Sequence, residues 1–484
     1  MKTSATLGVI LGNRDFFPDV LITEARRDLT KLFADLSVEP IWLSPQESKL
    51  GAVETWPDAQ KCGELLRRNC ERIDGILVCL PNFGDEKGVA DSLRLAGLRV
   101  PVLVQACPDD LDQFGLDRRR DAFCGKISVC NNLRQYGIKY SLTRDHTVAI
   151  LDPRFRNDLI RFIQICKVVR GLSGMRIGAV GARPNAFNTT RCSEKLLEAA
   201  GITVNTIDLS EVLGEAAKIG SEDARVRERV EQIRAYADAS AAPYDSIVRM
   251  AKFALVVDDW MRSLSITATA VQCWSSLQKN LGVNVCTIMS MMSEQMLPSA
   301  CEVDIAGVVG MYALQLASGR PSALVDWNNN YGGDAEKCVF FHCGNWAKEF
   351  LPDIRIATAP ILGTVLGEEN TVGALEGRTP PGPVTFGRVS TDDLSGSLCA
   401  YVGEGEFTAD PLKTFGTRAV VHVQDLPRLM HILCQNGFEH HAAMNGSHCA
   451  AAVAEALGHY LGWRTYHHNR PRDLPPLGKA CLST

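Results

Sequence analysis

The runs ATLGVIL (5–11), ITEARRDLTKLFADL (22–36) and EPIWL (39–43) decide how the chain begins. The first and third are short apolar runs with β-branched residues. The second repeats apolar residues at helical spacing between charges. GILVCL (75–80) and VPVLVQA (100–106) continue the pattern of apolar runs separated by helical stretches. Such alternation predicts a parallel sheet covered by helices. Ligands bind such sheets at the C-terminal ends of the strands. There the sequence offers GNRDFFPD (12–19) and LPNFGDEKG (80–88).

Working outward, a second α/β unit is expected to begin near Leu172. MRIGAVGARPNAF (175–187) reads as strand, glycine turn and loop, and TVNTIDLS (203–210) as another strand. EDARVRERVEQIRAYAD (222–238) reads as a charged helix, and the stretch from Phe253 to Gly282 as further helices. VNVCTIMSMMSEQM (283–296) is expected to be a buried strand and loop. EVDIAGVVGMYALQLASG (302–319) is expected to be a helix with Glu302 in its first turn.

After Pro321 short strands linked by Gly, Pro, Asp and Thr predict an antiparallel β region. The chain ends in an α-rich piece, SHCAAAVAEALGHYLG (447–462), and a Pro-rich tail. The expected fold is therefore α/β: two doubly wound α/β domains, 1–170 and 171–320, then a mostly antiparallel β domain, 321–484, with a terminal helix. Three domains also suit 484 residues at about 150 per domain.

Composition excludes several classes. An apolar fraction of 46% with 22% charged residues describes a globular chain. A net charge of −5 favours neither nucleic acid nor an anionic membrane as partner. The first apolar run is broken at once by Gly12, Asn13, Arg14 and Asp15, unlike a secretory leader. No apolar run reaches the length of a membrane span. The 17 cysteines, an odd number, point to reduced thiols and a cytoplasmic setting. No Cys-x-x-Cys occurs, which argues against a cysteine-built zinc site. Gly178 and Gly181 lack the third glycine of a dinucleotide fingerprint, so a plain strand-to-loop turn is expected there.

Glu302 and Asp326 carry the strongest chemical signal. Each lies at the edge of an apolar run, where an isolated carboxylate is costly to desolvate and a divalent cation would relieve the cost. His441, in FEHHAAMNGSH (438–448), is a candidate third ligand on a loop before an Ala-rich helix. Mixed carboxylate and imidazole donors suit Mn²⁺ or another divalent ion. His342 in FFHCGNW (340–346) is a further candidate. Arg14, beside Phe16 and Phe17, is a candidate fork for sugar hydroxyls. The tail residues His467 and His468 are expected to be exposed.

These residues carry a resemblance to the L-fucose isomerase and L-arabinose isomerase group of metal-dependent aldose–ketose isomerases. It rests on the Glu302-to-Asp326 spacing, on the VDW of 325–327 after an apolar run, and on HHAAMNGSH (440–448). The resemblance implies Mn²⁺ or a similar divalent cation held by Glu302, Asp326 and His441. It makes Glu302 and Asp326 the catalytic acid–base pair. It places Arg14, His342, His440 and Asn345 near the sugar. His342 also matches a metal ligand of the arabinose-type branch. The loops around Trp260, Trp274 and Asn345 match the family less closely. Hexamers or trimers with shared sites are implied too, the Arg14 loop reaching into a neighbouring subunit. No nucleic-acid or membrane partner is implied.

The expected reaction is isomerisation of an open-chain L-fucose-, D-arabinose- or L-arabinose-like sugar through a cis-enediol. Two rival readings stand beside it. The same chemistry could act on an anionic sugar such as sulfoquinovose, with Arg14, Arg183 or Lys126 available to pair the charge. Alternatively, the chain could be a sugar-binding regulatory protein without turnover.

Overall fold

The computed structural model describes residues 5–470; the Pro-rich tail lies outside the described residues. The chain forms two compact units, Met1–Arg170 and Gly171–Thr484.

The first unit holds five parallel strands: β1 (Ala5–Leu11), β2 (Val38–Ile41), β3 (Gly75–Leu80), β4 (Val102–Ala106) and β5 (Ser141–Leu142). Their order is β2-β1-β3-β4-β5, a doubly wound arrangement. Alternate residues of these strands feed two separate cores. Leu7, Val9 and Leu11 pack with Leu29 and Phe33 of the helix Val20–Leu36, while Ile10, Val78 and Val104 pack with residues of three other helices. Local signals set the helix starts. Thr55 and Asp58 form a reciprocal cap on Trp56–Arg68, and Asp85 caps Glu86–Ala96.

The second unit contains two sheets. The smaller joins β6 (Arg176–Val180), β7 (Thr203–Ile207), β8 (Ala268–Val271) and β9 (Ser299–Ala300) in parallel, in the order β7-β6-β8-β9. The larger has nine strands. These are β10 (Ser322–Tyr331), β11 (Asp334–His342), β12 (Arg355–Ala357), β13 (Ala374–Arg378), β14 (Gly382–Asp392), β15 (Ser397–Phe407), β16 (Thr417–His422), β17 (His441–Asn445) and β18 (Arg464–His467). Most of its pairings are antiparallel, with parallel contacts at β13–β16 and β15–β18.

The helix Ile305–Ser318 links the two sheets, packing on β8 and on β10, β14 and β17. It is buried around nearly its whole circumference, as its continuous apolar sequence requires.

Four local expectations change. The run 283–296 contains a helix, Cys286–Glu294, because a fully buried Met-rich run has no polar face to betray its period. ITATAV, read as helix, supplies β8, in keeping with its β-branched residues. FEHHAAMNGSH is not a loop, since His441 opens β17. His467 ends β18 and His468 is buried, its Nε2 lying 2.7 Å from the Gln424 carbonyl.

Candidate metal centre

The loops after β6, β8 and β9 leave the C-terminal edge of the small sheet, where its strand order places a ligand site. They carry Phe187, the pair Cys273 and Trp274, and Glu302. Glu302 is not in the first turn of the following helix. It and Val303 adopt left-handed backbone, with φ of 57° and 55°, and the helix starts after Asp304. Asp304 caps that helix through the Gly307 N–H at 2.8 Å.

The large sheet supplies the rest. Asp326 on β10 is the direct cross-strand partner of His441 on β17. A bulge follows at once on β10, between Trp327 and Asn329. His342 ends β11. Side chains from both sheets thus meet: His441 Nε2 lies 3.3 Å from Asp326 Oδ1 and 3.9 Å from Glu302 Oε2. His342 Nε2 lies 3.6 Å from Glu302 Oε2, and His440 Nε2 lies 3.4 Å from Asp326 Oδ1. Glu302, His342 and His441 each offer an atom to one small volume, as do Asp326, His440 and His441.

A cation fits the donor set on two observations. First, Glu302 Oε2 and Asp326 Oδ1 are buried carboxylate oxygens with no hydrogen-bond partner. Such orphans are costly and demand a counter-charge. Second, the tautomer of His441 is set from behind. Its Nδ1 lies 2.8 Å from Asp304 Oδ2. An ionised Asp304 accepts a hydrogen bond from the Nδ1–H, which leaves the Nε2 lone pair aimed at those same oxygens. Lone pair facing carboxylate repels until something positive lies between.

Asp304 is itself held by Arg388 of β14, whose two terminal nitrogens both reach it, one at 2.9 Å. Burial opposes charge on Asp304, but the Arg388 guanidinium outweighs it and holds the carboxyl well below its ordinary range. Arg388 also bonds Glu439 through Nε at 3.2 Å. A Cβ at Gly307 would stand 2.4 Å from Asp304 Oδ2, so only glycine leaves room for this pair.

Glu302 behaves differently. Burial pushes its carboxyl up, against the pull of His342 and His441. Its other oxygen, Oε1, accepts from Trp274 Nε1 at 2.8 Å and from Cys273 Sγ at 3.4 Å. Burial alone disfavours charge on His342, but Cys343, Glu302 and Asp326 carry it up to about 10. Phe187 roofs the centre, its ring 5.5–5.7 Å from those of His440, His441 and Trp274.

Of the residues singled out from sequence, five converge: Glu302, Asp326, His342, His440 and His441. Asn345 does not join them; its amide is buried and donates to the Ser299 carbonyl at 3.4 Å. Arg14 belongs to the first unit, where it stacks 4.1 Å over Phe83, bonds the Gly84 carbonyl at 3.1 Å and pairs with Glu86. Lys126 is buried there, its ammonium bonding Thr143 Oγ1 and the His146 carbonyl. Sequence reasoning missed Asp304, Arg388, Trp274 and Phe187. Only Asp304 carried a signal, as an Asp directly before an apolar helical run.

The fold and this centre define a two-unit α/β protein with a buried carboxylate–imidazole cluster. The chain belongs to the fucose isomerase-like family: residues 8–173 match the family model for the fucose/sulfoquinovose isomerase N-terminal domain and residues 340–468 that for the L-fucose isomerase C-terminal domain. His342, His440 and His441 lie within the second match. A protein named sulfoquinovose isomerase from Priestia aryabhattai is 26% identical over 294 residues, 60% of this chain and 63% of that protein. The chain thus spans less than two thirds of that relative's length. Another of that name from Alkalicoccus urumqiensis is 26% identical over 349 residues, covering 71% of this chain and 75% of its own.

Proposed function

We propose that this protein is a metal-dependent aldose–ketose isomerase acting on an open-chain sugar with an anionic group, of the sulfoquinovose type. One observation carries the reaction class: the unpartnered oxygens of Glu302 and Asp326 both lie within 4 Å of the His441 imidazole, which joins a Glu302–His342 cluster to an Asp326–His440 cluster, donors that suit a divalent cation. The names of the relatives carry the choice of an anionic substrate.

Glu302, Asp326 and His441 would hold the cation, with His342 beside them, and Mn²⁺ suits this donor mix. When bound, the cation polarises the sugar carbonyl and offsets the charge that develops on the enediol oxygens. The chain's own residues move the protons. One of Glu302 and Asp326 takes the proton from C2 of the open-chain aldose, and the electron pair of that C–H bond forms the C1=C2 bond of a cis-enediol. The same proton then returns at C1, while the other carboxylate assists transfer from the C2 hydroxyl to the C1 oxygen. The product is the ketose, with atoms and charge balanced. Asp304 holds His441 in the tautomer that leaves Nε2 unprotonated. Phe187 and Trp274 cover the centre with apolar surface and limit water.

A neutral L-fucose- or arabinose-like substrate is the second reading, favoured by the description of the C-terminal family model. A sugar-binding protein without turnover would leave the facing orphan oxygens without a purpose. A homo-oligomer that brings the Arg14 loop to a neighbour's site belongs to the same proposal. So does a cytoplasmic setting, in keeping with the free thiols. The test is ketose formation followed by NMR, with sulfoquinovose and neutral aldoses as substrates and with metal-stripped and Mn²⁺-loaded protein. Turnover of sulfoquinovose only when loaded supports the proposal. Turnover of neutral sugars alone replaces it with the second reading, and full activity of stripped protein refutes the reaction class.

A further inference from the structure

Beside Glu302 four thiols gather from distant parts of the sequence, and one of them, Cys343 Sγ, also lies 3.4 Å from His342 Nδ1. Cys273 follows β8, Cys301 follows β9, Cys343 follows β11, and Cys286 opens the helix Cys286–Glu294. Cys273, Cys286 and Cys301 are buried, and Cys343 keeps partial exposure. Cys343 Sγ lies 3.8 Å from Cys286 Sγ and 3.9 Å from Cys301 Sγ. One ligand atom from each of Cys273, Cys301, Glu302 and Cys343 lies within 4.8 Å of every other.

We propose that Cys273, Cys301 and Cys343, with the Glu302 carboxylate, form a second cation site that takes a thiophilic ion of the Zn²⁺ or Cd²⁺ class. Bonds of about 2.3 Å from a tetrahedral ion place sulfur atoms about 3.8 Å apart, close to the 3.9 Å between Cys301 and Cys343. Thiolates select soft ions, whereas the neighbouring orphan oxygens and imidazoles suit harder ones. The same carboxylate therefore borders both sites: Oε1 faces Cys273 at 3.4 Å, and Oε2 faces His342 and His441. Cys286 stands beside Cys343 as a further thiol outside this ligand set. The usual close pairing of zinc cysteines is absent because each thiol arrives from a different strand end, so sequence spacing cannot reveal the site. On binding, each thiol gives up its proton to solvent and no bond is oxidised. The site does not depend on the isomerase reading.

The experiment uses the full chain, reduced, oxygen-free and stripped of metal, titrated with Cd²⁺. Ultraviolet thiolate-to-cadmium absorption and X-ray absorption at the cadmium edge are the readouts. The expected result is three or more sulfur neighbours around the tightest-bound cadmium. That signal should persist in the exposed-thiol variant Cys70→Ser/Cys124→Ser/Cys434→Ser and weaken at least tenfold in Cys343→Ala. A wild-type shell of oxygen and nitrogen alone overturns the proposal without any variant. So does a sulfur shell unchanged in Cys343→Ala, which would place the ion elsewhere. Because the readout is spectroscopic, failure here leaves the Mn²⁺-dependence of turnover standing, and loss of that dependence leaves the thiol site standing.

Discussion

Asp326 and His441 are directly opposed residues of β10 and β17, with Asp326 Oδ1 3.3 Å from His441 Nε2. Their meeting is fixed by strand register. A slip of one residue would turn one of them to the other face of the sheet. The next two pairs below, Val325 with Ala442 and Leu324 with Ala443, are fully buried and hold the register by packing.

Glu302→Gln keeps the shape of the side chain but removes its charge and one acceptor. Isomerisation should fall by about 10²–10⁴-fold, the range typical of a lost acid–base group. Thermal stability should hold or rise, because a buried unpaired carboxylate oxygen is gone. Steady-state kinetics and a melting curve on the same preparation check both halves.

Asp304→Asn should act on the cation without touching it. Its loss frees His441 to present the wrong nitrogen. Mn²⁺ affinity should weaken by about 10–100-fold, the usual cost of losing such a supporting carboxylate. Calorimetric titration of the stripped protein measures this directly. Unchanged affinity would mean that the Asp304–His441 bond does not orient the ring.

Arg388→Met leaves Asp304 buried without its main counter-charge. Breaking a buried pair in this way costs about 3–5 kcal/mol. The pH dependence has a definite sign. The carboxyl of Asp304 is held below its unfolded value, so its contribution to wild-type stability is complete above the ordinary carboxylate range. It is lost only as pH falls through the lowered value. In the variant that protection is gone, so the stability gap should be widest near neutral pH and narrow in acid. Denaturant unfolding at several pH values tests this; a gap that widens in acid would contradict it.

The parallel sheet of the first unit and the β-rich end of the second were legible because strand runs and turn residues alternate cleanly. Asp326 and His441 were legible for a related reason, each being a polar residue set against a run of buried ones. The short path from β9 to the next helix was not. Glu302, Val303 and Asp304 look like the start of a helix, but left-handed backbone at two of them throws Glu302 out of it and leaves Asp304 as the cap. Arg388 reads as an ordinary strand arginine, and only the packing of the helix Ile305–Ser318 on β14 brings it to Asp304. The thiol cluster joins four separate segments, an arrangement that local sequence reading cannot see. Arg14 was singled out from its neighbours, yet its guanidinium is engaged with Phe83, Gly84 and Glu86 within its own unit.

The central claim is that one cation lies between the orphan oxygens and His441. Anomalous diffraction from a crystal of the full chain soaked in Mn²⁺ tests it most directly. The account predicts a manganese peak in contact with Glu302 Oε2, Asp326 Oδ1 and His441 Nε2. A well-diffracting crystal with no peak there, or with manganese bound only elsewhere, would contradict it.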